Sequence, residues 1–222
     1  MIVLGIETAT ALCGVSLVEN GQLFAASQLN KGFAHAEKLP GMIQKSMEDA
    51  SLTLADVDGI AVSIGPGSFT GLRIGLGVAK GIALALNKPV IPVSTMDVLV
   101  DALPTALEAC CTTLYARKGE IYLASYRVEE GQWQQKGEIR TILVEKLDEA
   151  LPSGACFYVG EGVLRNLESF SKIDRVRMPE SQYAMPNPYH VARLGEIELK
   201  AGNVSPVDDL VPLYIKRFQG VA

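Results

Sequence analysis

Hydrophobic and polar residues alternate near the start of the chain in a way that predicts β-strands. Three short apolar segments, IVLGIET, LCGVSLV and QLFAASQ, fall within residues 2–28. Segments of this length, with alternating or continuous apolar character, are typical of strands. Between the second and third segments, Glu19-Asn20-Gly21 predicts a tight hairpin, because Asn and Gly accept positive φ. The pattern therefore predicts a three-strand meander.

A similar pattern returns in the second half of the chain. The segments CTTLYA, EIYLASYRV and QWQQKG lie within residues 111–137, and the quartet EEGQ at Glu129 corresponds to ENGQ at Glu19. A duplicated meander followed by helices and further strands predicts an α/β fold of two similar lobes. We place the N-terminal lobe at residues 1–103 and the C-terminal lobe at residues 104–222.

Further helices and strands are predicted between and after the meanders. A helix beginning near residue 35 carries apolar side chains on one face, namely Leu39, Met42, Ile43 and Met47. The other predicted elements are strands over 59–64, 90–93 and 157–159 and helices over 68–86, 144–151 and 187–201. Pro92 indicates that its strand lies at a sheet edge or contains a bulge. Residues 165–188 are assigned no regular structure.

The helix predicted over residues 68–86 has hardly any polar side. Residues four apart form ridges on a helix, and two neighbouring ridges here are small and large apolar: Gly71, Gly75, Ala79 and Ala83, then Ile74, Val78, Ile82 and Leu86. A helix that is apolar all round requires burial all round. When a helix lies on a sheet in a small domain, the face of the helix away from the sheet is exposed to solvent. We therefore expect a partner helix to cover that face. The sequence leaves open which ridge faces the partner.

The segment GPGSFTG precedes this helix and resembles a phosphate-binding loop. Gly65 and Gly67 give a flexible strand-to-helix turn, Ser68 can cap the helix, and backbone N–H groups at a helix start attract anions. No Lys-Ser or Lys-Thr pair follows, so the segment is not a P-loop. The alternative is a tight turn with a capped helix and no nucleotide.

Composition narrows the function. The chain has 222 residues, of which 48% are apolar and 20% charged, and its formal net charge of -5 argues against binding nucleic acid on its own. The first apolar run is short and has no basic residues before it, and Arg73 and Lys80 interrupt the longest one. We therefore expect a cytoplasmic protein with no membrane segment. The four cysteines form no C-x-x-C pair and are expected to be buried free thiols.

Four motifs then occur in a specific order: IETAT at 6–10, GPGSFTGLRIG at 65–75, ARKGEIY at 116–122 and PLYIKR at 212–217. Together they resemble the TsaB (YeaZ) family of bacterial tRNA threonylcarbamoyladenosine synthesis. The resemblance implies a two-lobed actin-like (ASKHA, RNase H-like) fold, in agreement with the two meanders.

The resemblance also implies a role. TsaB is regarded as a non-catalytic scaffold that binds TsaD, with TsaE adding ATPase activity, to place a threonylcarbamoyl group on N6 of adenosine 37 in tRNAs reading ANN codons. We therefore expect contact with tRNA only through the complex, a homodimer when TsaD is absent, and no cofactor in the isolated chain. ATP or ADP at the junction with TsaD is left open. The expected partner interface is Leu39, Met42, Ile43, Met47, Gly71, Leu72, Gly75, Leu76, Ala79 and Ala83.

Residue chemistry agrees with a chain that has no catalytic residue and no metal ligand. TsaD-type catalysis uses an H-x-x-x-H pair, whereas His35 and His190 here are each followed four residues later by leucine. The expected phosphate loop is degenerate and comprises Glu7, Thr8, Gly65, Gly67 and Ser68. In the second hairpin, Tyr115 stands where relatives often have Asp, and it cannot bind magnesium as a carboxylate would. The alternatives are an actin-like ATP-dependent small-molecule kinase and a metallopeptidase.

Overall fold

The computed structural model describes residues 1–30, 35–178 and 185–215. These residues contain two five-stranded mixed sheets with the same strand arrangement. In each sheet, three antiparallel strands follow one another along the chain. The first of the three pairs on its other side with a parallel strand, and a second parallel strand lies beyond that one. The predicted duplication and the two-lobed α/β fold are confirmed.

The first sheet has the order β3-β2-β1-β4-β5. Its strands are β1 (Ile2–Glu7), β2 (Leu12–Glu19), β3 (Gln22–Asn30), β4 (Gly59–Gly65) and β5 (Val90–Ser94). The predicted hairpin is present, since Asn20 and Gly21 have φ values of 51° and 73°. Pro92 lies in the edge strand β5, as its missing N–H requires.

The second sheet has the order β10-β9-β6-β7-β8. Its strands are β6 (Ala109–Arg117), β7 (Glu120–Glu129), β8 (Gln132–Leu143), β9 (Cys156–Val159) and β10 (Val176–Arg177). The strand β10 and the helix over Leu167–Ser171 fall in the region 165–188, to which the sequence assigned no regular structure. Residues 179–184 of that region lie outside the described residues. That assignment was wrong because elements of two to five residues are too short to show a period.

Helices cover both faces of the first sheet. The helices α1 (His35–Asp49) and α2 (Phe69–Leu86) lie on one face, and α7 (Pro188–Lys200) lies on the other, with α3 (Thr95–Asp101) between it and the second sheet. The second sheet carries the short helices α4 (Leu147–Ala150), α5 (Glu161–Leu164) and α6 (Leu167–Ser171). The predicted helix over 144–151 is a 3₁₀ turn followed by α4.

The end of the chain returns to the first lobe. A Cβ added to Gly195 of α7 would lie 2.2 Å from the Cβ of Ala61 in β4, so helix and sheet are in close contact. The Leu213 N–H then donates to the Ile64 carbonyl oxygen at 2.7 Å. The assignment of all residues 104–222 to the C-terminal lobe is therefore wrong at its end. The reason is that β1 and β4 form the middle of a sheet that is apolar on both faces, and α7 covers the second face.

Candidate functional site

The turn that begins α2 is filled by the chain itself. The Ser68 N–H donates to the Ala9 carbonyl oxygen at 2.7 Å, and the Ser68 Oγ accepts from the Gly71 N–H at 3.2 Å. A Cβ on Gly67 would lie 2.3 Å from the Ala9 carbonyl oxygen, and one on Gly71 would lie 2.1 Å from that of Thr8. These glycines therefore allow the β1–β2 connection and the start of α2 to touch, and Ser68 acts as the helix cap.

Glu7 is fully buried beneath this turn. Its carboxylate accepts from the Ala9 N–H at 2.6 Å and from the Ser63 hydroxyl, and burial raises the pKa of Glu7 to about 7. The neighbouring Thr8 Oγ1 is also buried and has no hydrogen-bond partner among the described residues. Glu7 is not among the described residues that line the cavity between the lobes.

Tyr115 in the second hairpin lies beside the cationic side chain of Arg165, which follows α5. The Arg165 guanidinium lies 4.4 Å from the centre of the half-buried Tyr115 ring, and its Nε donates to Glu161 at 2.7 Å. Among the described residues, no three His, Cys, Asp or Glu side chains come together in a group that could hold a metal ion. At the positions considered in the two turns, Tyr115 supplies no carboxylate and the Glu7 carboxylate is buried.

A cavity of about 1380 Å³ lies between the lobes. Phe69, Arg73 and Tyr214 line its N-terminal wall, and Tyr115 and Arg165 line the opposite wall. The Phe69 and Tyr214 ring centres are 5.8 Å apart, and the Arg73 guanidinium lies 3.8 Å from the Phe69 centre. Sequence analysis missed this aromatic and cationic lining, although the motifs GPGSFTGLRIG and PLYIKR contain three of its residues.

The ten residues expected at the partner interface are all buried within the chain. The small ridge of α2 faces the chain's own sheet, where a Cβ on Gly75 would lie 2.2 Å from the Thr8 Oγ1. The expectation that these side chains contact a partner is therefore corrected, since they lie in the core: Leu39, Met42, Ile43, Met47, Gly71, Leu72, Gly75, Leu76, Ala79 and Ala83. The small residues serve close packing of α2 on β1 and β4.

A different row of α2 is exposed. We call Gly77, Gly81, Leu84 and Ala85 the outer row, because all four are exposed to solvent. A Cβ on Gly77 or Gly81 would meet no atom within 4 Å, and Leu84 is 67% exposed. Gly41 on the adjacent α1 is equally open. The sequence predicts that one side of α2 is not covered by the chain, and the structure has such a side. The residues on it are those of the outer row and not those expected at the partner interface.

The length and hydropathy of α2 would allow it to cross a membrane, with a mean hydropathy of 1.4 over Phe69–Leu86. Length and composition alone therefore do not support the expectation of no membrane segment, despite Arg73 and Lys80. The small ridge of α2, which we call the inner ridge, comprises Gly71, Gly75, Ala79 and Ala83. It packs against β4 of its own sheet, as a core helix does.

The remaining candidate residues have structural partners. His35 Nε2 lies 2.9 Å from the Thr10 carbonyl oxygen, and His190 Nδ1 lies 2.6 Å from the Asp101 carboxylate. Burial lowers the pKa of His190 to about 4. The four cysteines are free and buried, which confirms their prediction.

Comparison with known proteins shows which family has this architecture. Residues 32–174 match the family model of TsaD, tRNA N6-adenosine threonylcarbamoyltransferase. The Escherichia coli tRNA threonylcarbamoyladenosine biosynthesis protein TsaB is 34% identical over 167 residues, which cover 73% of this chain and 72% of that protein. The chain belongs to the TsaB family. The Haemophilus influenzae TsaB is 27% identical over 226 residues, covering 97% of this chain and 94% of that protein.

A solved structure agrees over nearly the whole chain. YeaZ from Pseudomonas aeruginosa has a TM-score of 0.82 at 26% identity and covers 96% of this chain and 99% of its own. The two-lobed actin-like fold expected of the family is thereby confirmed, together with the family resemblance of the sequence motifs.

Proposed function

We propose that this chain is a non-catalytic scaffold that binds a TsaD-type transferase, which forms the threonylcarbamoyl group on N6 of adenosine 37 in tRNAs reading ANN codons. Its relatives named as TsaB are tRNA threonylcarbamoyladenosine biosynthesis proteins. The observation that carries the proposal is the outer row of α2, which is apolar, exposed and open at two glycines.

The open glycines support a contact between helices. Glycine inside a helix costs up to ~1 kcal/mol relative to alanine, and nothing in the described chain approaches Gly77 or Gly81 to account for that cost. Small residues on a helix surface let a second helix come close. The exposed Leu84 adds apolar surface beside them. A partner helix of TsaD type would bury this row, and a second copy of the chain would cover it when TsaD is absent.

The turns between the lobes support the non-catalytic part. Glu7 is buried under the β1–β2 connection, and Tyr115 is covered by Arg165. Neither turn offers a carboxylate to a magnesium-bound nucleotide, which weighs against the kinase alternative. We propose that the chain acts in the cytoplasm without a cofactor of its own, that TsaE joins the complex, and that any ATP or ADP binds at the junction with TsaD.

The test is a reconstitution in which each component is omitted in turn. We expect the purified chain to form no threonylcarbamoyladenosine from threonylcarbamoyl donor and tRNA, and we expect product when TsaD and TsaE are added. Nucleoside analysis of the tRNA measures the product. Product in the absence of TsaD would overturn the scaffold role, and full activity of TsaD and TsaE without this chain would overturn its participation.

A further inference from the structure

The cleft between the lobes contains chemistry that the scaffold role does not use. Among the described residues, the cavity lining contains three arginines and one glutamate, and no lysine or aspartate. The whole chain, in contrast, has a net charge of -5. Phe69, Tyr115, Tyr122 and Tyr214 line the same cavity. The cleft is therefore a locally cationic and aromatic surface on an acidic protein.

Arg73 is the cation best placed to meet an anion. Arg165 and Arg117 are paired with Glu161 and Glu120. Arg73 has no carboxylate partner among the described residues, and its Nε lies 3.4 Å from the Tyr214 hydroxyl while its guanidinium covers the Phe69 ring. This arrangement places the guanidinium at the cavity wall, where no carboxylate of the described residues pairs with its charge.

We propose that this cleft binds unpaired nucleotides of a single-stranded RNA segment. Unstacked bases are recognised by stacking on aromatic rings and arginine planes, and cationic side chains meet the phosphates between them. On one wall, the Arg73 plane over Phe69 and the Tyr214 ring supply such surfaces, and on the other the Arg165 plane lies over Tyr115. The acidic remainder of the chain makes the binding weak and local.

The same geometry disfavours a free nucleoside triphosphate. The turns that would hold its phosphates and magnesium are closed, since Gly67 and Gly71 are in contact with the Ala9 and Thr8 carbonyl oxygens and Glu7 is buried. The cavity of about 1380 Å³ also exceeds the roughly 300–1,000 Å³ of ordinary small-molecule sites. A strand of several nucleotides uses the cleft walls without needing the closed turns.

The test is fluorescence anisotropy with a labelled seven-nucleotide single-stranded RNA and the full chain at low salt. We expect saturable binding that Arg73→Ala and Tyr115→Ala each weaken at least about fivefold, the size of one lost stacking contact. The matched control is Arg127→Ala, an exposed arginine on β7 outside the cleft, which should leave affinity within about twofold. Circular dichroism checks that each variant is folded, and Tyr115→Phe, which keeps the ring, should retain binding.

Competition decides the kind of ligand. Unlabelled single strand should displace the probe far better than AMP, ATP or a duplex of equal length. Absence of binding, equal affinity in the folded cleft variants and wild type, or displacement by ATP as effective as by RNA would overturn the proposal. The inference extends the scaffold proposal but fails separately from it: Tyr115→Ala should still bind TsaD, whereas an outer-row variant such as Gly81→Leu should still bind the RNA.

Discussion

The inner and outer sides of α2 both carry glycine, but only the inner glycines touch the rest of the chain. A Cβ on Gly71 would lie 2.1 Å from the Thr8 carbonyl oxygen, and one on Gly75 would lie 2.2 Å from the Thr8 Oγ1. On the outer side, a Cβ on Gly77 or Gly81 would meet nothing within 4 Å. Inner glycines therefore maintain the fold, whereas outer glycines weaken the helix without any return inside the described chain.

The two sides of α2 therefore differ in what they contact within the described chain. The inner ridge brings α2 into close contact with Thr8 of the β1–β2 connection at Gly71 and Gly75. The outer row leaves a flat apolar surface on the opposite side. Close packing on the chain's own core and an open, exposed row are thus found on opposite sides of one helix.

The largest effect should come from adding a methyl group on the inner side. Gly71→Ala places its Cβ against a backbone carbonyl that cannot move aside, so we expect a loss of about 3 kcal/mol in the free energy of unfolding. For a chain of this size, that lowers the melting temperature by roughly 6–12 °C. Thermal denaturation followed by circular dichroism measures it. An unchanged melting temperature would show that α2 does not lie against Thr8 as described.

A second effect concerns Glu7, which lies beneath the inner side. Burial raises the pKa of Glu7 from 4.5 to about 7 in the folded chain, so the folded state binds the proton more tightly than the unfolded state does. The resulting stability is fully present below the unfolded pKa and is lost as the pH rises through about 7. Glu7→Gln cannot ionise and keeps hydrogen-bonding atoms for Ala9 and Ser63.

We therefore expect Glu7→Gln to gain about 2 kcal/mol relative to the native chain between pH 5 and pH 8. Urea denaturation at the two pH values measures the difference. The exposed Glu149→Gln on α4 is the control and should follow the native profile. A native stability that does not fall between pH 5 and pH 8 relative to Glu7→Gln would contradict the buried, uncharged state of this carboxyl group.

The smallest effect should come from adding a methyl group on the outer side. Gly77→Ala has open space for its Cβ and removes glycine from a helix interior, so we expect the isolated chain to become more stable by up to ~1 kcal/mol. Thermal denaturation at low protein concentration limits self-association during the measurement. A loss of stability there would mean that the two sides of α2 do not differ as the structure indicates.

Sequence analysis predicted the two meanders, the Asn20-Gly21 hairpin and the long α2 because each depends on a local pattern. It did not predict that α7 returns to the first sheet, since that contact joins residues far apart in the chain, such as Ala61 and Gly195. The spacing of small residues could not show which side of α2 faces the sheet. Small residues occur in two rows along the helix, one led by Gly71 and the other containing Gly77.

The cleft illustrates the same limit. The Arg73–Tyr214 contact joins residues 141 positions apart, and no local pattern connects them. The sequence singled out Glu7 and Tyr115, but only the structure shows that the first is buried and the second is covered by Arg165. Motif residues therefore identified the family, and packing determined what each residue does.

The central claim is that the outer row of α2 binds a TsaD-type partner, and its most direct test is the dissociation constant of that complex for substitutions at Gly81. Isothermal titration calorimetry measures this constant for the native chain, Gly81→Ala and Gly81→Leu. The two variants add a small and a large side chain at the same position. We predict that Gly81→Leu stays folded, because its Cβ has open space, and binds the partner at least thirtyfold more weakly, a change of ~2 kcal/mol. Gly81→Ala should bind with an intermediate or near-native constant. A folded Gly81→Leu chain with the native dissociation constant would contradict the account.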